Sequence, residues 1–124
     1  MSLQKMYERF PNLRIVSVEN GSSFLPDLFR KLPQQKNKLM GWFKEDPLEL
    51  FKKNVWINPF WEDDPYEVAE LMGVDRVVFG SDWPHIEGMP TPLDYVVELK
   101  EFGKEEQRKI LLENVLQLSK PNPI

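Results

Sequence analysis

Proline decides how long any element of this chain can be. Eleven prolines stand among 124 residues, at positions 11, 26, 33, 47, 59, 65, 84, 90, 92, 121 and 123. Each lacks a backbone N–H and crowds the preceding turn, so it starts, ends or bends a helix and is kept out of central strand ladders. Between these breaks the hydrophobic pattern switches repeatedly between two periods. Met1 to Phe10 has Leu3, Met6, Tyr7 and Phe10 at helical spacing. Residues 13–21, LRIVSVENG, predict a strand with Val16 and Val18 on one face and Ile15, Ser17 and Glu19 on the other. Ser22 or Ser23 can cap a helix over about 23–32. Residues 33–45 read as a polar surface loop. DPLELFKKN predicts a short helix with Asp46 as N-cap and Pro47 in its first turn.

NVWINPF, residues 54–60, predicts the second strand, and residues 65–72 a short helix closed by Gly73. DRVVFGSD, residues 75–82, predicts the third. Its alternation puts Val77 and Phe79 on one face and Arg76, Val78, Gly80 and Asp82 on the other. Two amphipathic helices, 92–101 and 104–117, complete the pattern. Strands alternating with helices imply an α/β fold with parallel βα units in one sheet and one domain over 1–124. Each strand also ends in chemistry: Glu19-Asn20, then Asn58 to Glu62, then Asp82 to His85. Open α/β sheets and (β/α) barrels share that polarity.

The composition, 41% apolar and 29% charged, is that of a folded domain. The net charge of −4 gives no reason to expect binding to nucleic acid or an anionic membrane. Without cysteine, thiolate metal sites and disulfides are excluded. No apolar run approaches the roughly 20 residues of a membrane span and no signal peptide is visible, so the cytoplasm is the expected compartment.

The strand-end segments together carry a resemblance. FGSDWPHIEG, residues 79–88, resembles the last-strand motif of the amidohydrolase-related family, in particular its aminocarboxymuconate-semialdehyde decarboxylase-like members. VSVENGSSFLPDLFRKL resembles the region of that family's sixth barrel strand. NVWINPFWEDDP resembles the seventh, and KILLENVLQLSK the closing helix with its usual mid-helix Asn. The resemblance covers residues 13 to about 119. It implies a (β/α)8 TIM barrel holding a divalent metal, commonly zinc. Its ligands would be a His-x-His pair, a further histidine on a middle strand, and an aspartate at the end of the eighth strand. The matching position is Asp82, which in hydrolytic members also helps activate the metal-bound water.

This chain has a single histidine, His85, and no His-x-His, and a barrel usually takes about 250 residues. The expectation is therefore the last three βα units of such an enzyme, inactive by itself. It would need a missing amino-terminal half or be completed as a homo-oligomer, because an inner face with Ile15, Trp56 and Val78 and two sheet edges would otherwise be bare.

Two readings stay open at each site. Asp82 is a metal ligand or an aspartate capping its own turn. His85 touches a small-molecule substrate or a neighbouring carboxylate, or is a surface residue after a Trp-Pro turn whose peptide is expected to be trans. Glu19 binds substrate or pairs with Arg76. Trp56, with Phe60 and Trp61, walls a substrate pocket or belongs to the core. Glu62, Asp63 and Asp64 suit a solvated helix N-terminus. The chain contributes Asp82 to a hydrolase or decarboxylase, or is an inactive interaction module, or assembles a weak site of Asp82, His85 and Glu19 from several copies.

Overall fold

The computed structural model describes residues 5–86 and 88–121. The element order is α1 (Met6–Arg9), β1 (Ile15–Ser17), α2 (Leu25–Lys38), α3 (Pro47–Asn54), β2 (Val55–Ile57) and α4 (Pro65–Met72), then α5 (Tyr95–Glu98), α6 (Lys104–Arg108) and α7 (Asn114–Ser119). Leu3 of the expected first helix lies outside the described residues. Helices α3 and α4 start as their sequences dictate. The Asp46 carboxylate accepts from Leu48 N–H at 2.9 Å and the Asp64 carboxylate from Tyr66 N–H at 2.9 Å, each with proline next in the chain. Gly73, at φ 90°, closes α4.

Three elements differ from expectation. Helix α2 runs through Pro33 to Lys38 where a loop was expected from residue 33. Pro33 costs one backbone bond, but the Gln and Lys residues after it are good helix formers. The helix expected over 92–101 is a 3-10 turn at Pro92–Asp94 followed by the short α5. The third strand is reduced to an extended segment with one parallel bridge, Ile57 to Val77, after a 3-10 turn at Val74–Arg76.

Strands β1 and β2 pair in parallel, with Ile15 opposite Val55, Val16 opposite Trp56 and Ser17 opposite Ile57. The third segment joins the far side of β2 through Val78 N–H to the Ile57 carbonyl at 2.9 Å. On its other side Phe79 N–H donates to the Ile110 carbonyl at 3.1 Å. Ile110 lies in a π turn, Lys109–Glu113, between α6 and α7. A π turn shifts the helical bonding and frees a carbonyl, and here one meets the strand edge. The third segment therefore has little strand ladder because a helix carbonyl replaces the next strand.

One face of the sheet packs on the helices. Ile15, Val55, Ile57, Val77 and Phe79 join a core with Leu25, Phe51, Val68, Leu99 and Ile110. The other, inner face carries Val16, Trp56 and Val78. Ile15 was expected on this inner face. The register overturns that, since Val16 sits opposite Trp56 and the period of two sends Ile15 to the helices. Nor is the inner face bare. Trp56 and Val78 are buried, leaving Val16 and Val18 at 37% and 53% exposure.

Buried asparagines pin helices to strands. Asn54 donates to the carbonyls of Pro11 and Leu13 ahead of β1. Asn114, on the closing helix, donates to the carbonyls of Val74 and Val77 at 2.8 and 2.7 Å. No helix among the described residues is long and apolar enough to cross a membrane.

Candidate active site at the carboxyl ends of the strands

A cleft of about 560 Å³ opens where the three extended segments end. Glu19 lines it from the loop after β1, Asn58 to Glu62 from the loop after β2, and Gly80 to Asp82 from the third segment. Two of its acids have left-handed backbones, Glu19 at φ 61° and Asp82 at φ 56°. Such a conformation costs a residue with a Cβ of order 1 kcal/mol or more and persists only where the surroundings enforce it.

At Asp82 the enforcement is visible. Met89 N–H donates to the Ser81 carbonyl and His85 N–H to the Asp82 carbonyl, at 2.9 and 2.8 Å. Trp83 N–H donates to Ser81 Oγ at 3.2 Å. The loop is thus tied at its neck. Gly88 packs so tightly beneath it that a Cβ there would lie 2.4 Å from the Asp82 carbonyl oxygen. The Trp83–Pro84 peptide is cis, against the expected trans. Gly80 has a different reason to be glycine: a Cβ would meet the Asn58 amide at 3.0 Å. The left-handed turn falls on Asp82 itself.

The loops after β1 and β2 are clamped together by Asp63, whose Oδ2 accepts from Ser22 N–H at 2.9 Å and Phe60 N–H at 2.8 Å. Gly21, at φ 65°, lets the Phe60 ring lie where a Cβ would stand. Phe60 and Trp61 are therefore held at the cleft with 44% and 45% exposure, outside the core. Asn58 stands in the expected strand-end run, but Asp63, expected in a solvated helix N-terminus, instead grips two loops. The one signal in the sequence is that two aspartates precede Pro65 while a helix uses one as cap.

Of the expected site residues, the structure brings Glu19 and Asp82 into one cleft. His85 stands beside Asp82, Nδ1 4.0 Å from Oδ2, with its side chain 71% exposed. Trp56 is elsewhere. It is buried beneath the Arg76 guanidinium, which lies 4.4 Å above its ring, in a second cleft with Arg14 and Lys109 at the amino ends of the strands. Arg76 Nε donates to the Lys52 carbonyl, and burial pushes its pKa down against the pull of Asp75. Among the described residues no ion pair joins Arg76 to Glu19. Trp56 points into the amino-end cleft because alternation along β2 sets it one step before Ile57, well short of the loop.

A catalytic zinc takes three protein ligands. Among the described residues no group of three His, Cys, Asp or Glu side chains converges to hold a metal ion. The donors of this chain alone do not fit a metal centre.

The amidohydrolase family profile matches residues 1–118. The chain belongs to the amidohydrolase family. It is 44% identical to an amidohydrolase from Mycobacterium avium subsp. paratuberculosis, with a TM-score of 0.93 over 95% of this chain and 31% of that one. A Staphylococcus aureus protein described as an amidohydrolase matches at 26% identity and a TM-score of 0.69, over 94% of this chain and 37% of that one. No curated protein matches. This amidohydrolase chain thus spans about a third of the solved relatives, and its small parallel sheet among helices is consistent with a partial TIM barrel. The cleft lies at the carboxyl ends of the strands, the end at which parallel βα folds keep their active sites.

Proposed function

We propose that residues 1–124 form a single domain, the last three βα units of a metal-dependent amidohydrolase barrel. Asp82 supplies one ligand of a divalent metal site, zinc by preference, which the other strands of the barrel complete. The observation that carries this reading is Asp82 itself, held left-handed at a strand tip by a tied loop and lining one cleft with Glu19. Glu19 and His85 contact a small-molecule substrate, with Phe60 and Trp61 as its aromatic wall. Asp63 and Asn58 position the loops that carry these groups. FGSDWPHIEG and NVWINPFWEDDP support the aminocarboxymuconate-semialdehyde decarboxylase-like branch, whose reaction is hydrolysis or decarboxylation. The cytoplasm is the compartment proposed. A second reading, an inactive module that binds a partner, is favoured by the lack of a three-ligand group among the described residues.

Co-expression with the amino-terminal two-thirds of the Mycobacterium avium amidohydrolase tests the first reading. The joined complex should turn over members of a zinc-supplemented panel of amides, esters and unsaturated carboxylic acids. Asp82→Asn should abolish that turnover while the complex still forms. Turnover indifferent to Asp82→Asn would refute the assignment, and a folded complex with no turnover would favour the module.

A further inference from the structure

The inner face of the sheet is charged in opposite senses at its two ends. Arg14, Arg76 and Lys109 gather at the amino ends of the strands with Asp75 and Glu113, the latter held by Arg108 at 2.8 Å. Lys109 is tied to Asp75 at 2.9 Å, and both terminal nitrogens of Arg14 are bonded to the carbonyls of Gln117 and Lys120. Arg76 is the charge left over. Its Nε is bonded, its guanidinium carbon lies over the Trp56 ring, and among the described residues no carboxylate is ion-paired with it. A guanidinium anchored through Nε over an aromatic ring still has its terminal N–H groups to offer a carboxylate.

At the carboxyl ends Glu19, Glu62 and Asp82 share one cleft. Among the described residues none of these three is ion-paired with a lysine or arginine. Between the ends stand the exposed Val16 and Val18. Strand β1 and Val18 separate Arg14 at one end from Glu19 at the other. A face with a basic end, an apolar middle and an acidic end is complementary to its own copy turned about a two-fold axis through the middle.

We propose that this inner face is the isologous interface of a homodimer, in which Arg76 of one chain meets the partner's Glu19 and Asp82, and the reverse. The same face would line the lumen of a completed barrel, so the dimer is the state of this chain by itself. Opposed charge ends steer the approach and fix the antiparallel setting, and the valines are what the contact dries. Association is therefore sensitive to salt.

Light scattering on the eluting chain, at low and at high salt, reads this directly. The expected mass at low salt is twice the 14.7 kDa of the chain, falling toward one copy at high salt. Arg76→Glu should give monomer, and so should the double variant Glu19→Arg with Glu62→Arg. An equimolar mixture of the two should recover the dimer mass, since each then offers the charge the other lacks. Arg76→Glu also removes a bond to Lys52 and could unfold the chain. Val18→Asp, at an exposed position, therefore gives a second route to monomer, with circular dichroism confirming the fold of every variant. A monomeric parent chain, an assembly larger than two, or folded variants that fail to recombine would overturn the proposal. So would a parent chain that pairs only with an amino-terminal barrel segment. Zinc and turnover play no part in this readout, so its failure and that of the functional reading are separable.

Discussion

Tyr95 is a residue whose chemistry works against the fold. Its side chain is buried, its ring stacks on Phe79 with centroids 5.1 Å apart, and among the described residues its hydroxyl finds no hydrogen-bond partner. A buried, unbonded hydroxyl costs about 1–3 kcal/mol. Tyr95→Phe should therefore leave stability to urea unchanged or raise it. Burial first, then the charges of Glu98, Asp63 and Asp64, push the Tyr95 pKa up to about 12. A raised pKa means that the unfolded chain ionises first. Stability is fully present below about pH 10 and is lost as the pH climbs toward 12. Tyr95→Phe should remove that alkaline loss, and a loss of equal size in the variant would contradict the assignment. Gly88 is the opposite case. Gly88→Ala would drive a methyl into the Asp82 backbone and should cost about 1–3 kcal/mol in urea titration. At this scale Asp82 and Glu19 were legible in the sequence because strand-end carboxylates in a βα pattern stand out. Asn58 and Asp63 were not, because their roles lie in which distant loop each one grips.

The elements rest on single polar groups. Burial would raise the Asp46 pKa, but the Leu48 N–H and the Lys36 ammonium outweigh it and hold the carboxyl below its usual range. The cap is therefore in place above the ordinary carboxylate pKa and fades as the pH falls through the lowered value. Asp46→Ala should cost about 1 kcal/mol at neutral pH, and Asp46→Asn should keep most of the cap while losing its acid dependence. Asn114→Ala strands the buried Val77 carbonyl and removes one bond to that of Val74, which keeps its bond from Val77 N–H, and should cost about 1–3 kcal/mol by chemical denaturation. Caps such as Asp46 and stops such as Gly73 were readable from residue type alone. The run of α2 past Pro33 was not, since favourable neighbours outweighed one local breaker. The faces of β1 were not either, since alternation gives two sets and the register with β2 chooses between them. The meeting of Phe79 with a π turn lies some 30 residues away in sequence, roughly the length of a βα unit, beyond the reach of a local pattern.

At the scale of the whole molecule, βα alternation gave the fold class and the strand-end motifs pointed to the amidohydrolase family. What the chain meets on its inner face belongs to surfaces that periodicity does not describe. By itself the chain should show no turnover, because its own donors stop at one well-held carboxylate. The proposed role of Asp82 is that of a metal ligand in a barrel completed by further strands. Elemental analysis of the complex between this chain and the amino-terminal two-thirds of the Mycobacterium avium amidohydrolase tests it most directly. Stoichiometric zinc is expected in the parent complex and is lost with Asp82→Asn, the complex itself staying intact. Equal zinc in both complexes would contradict it.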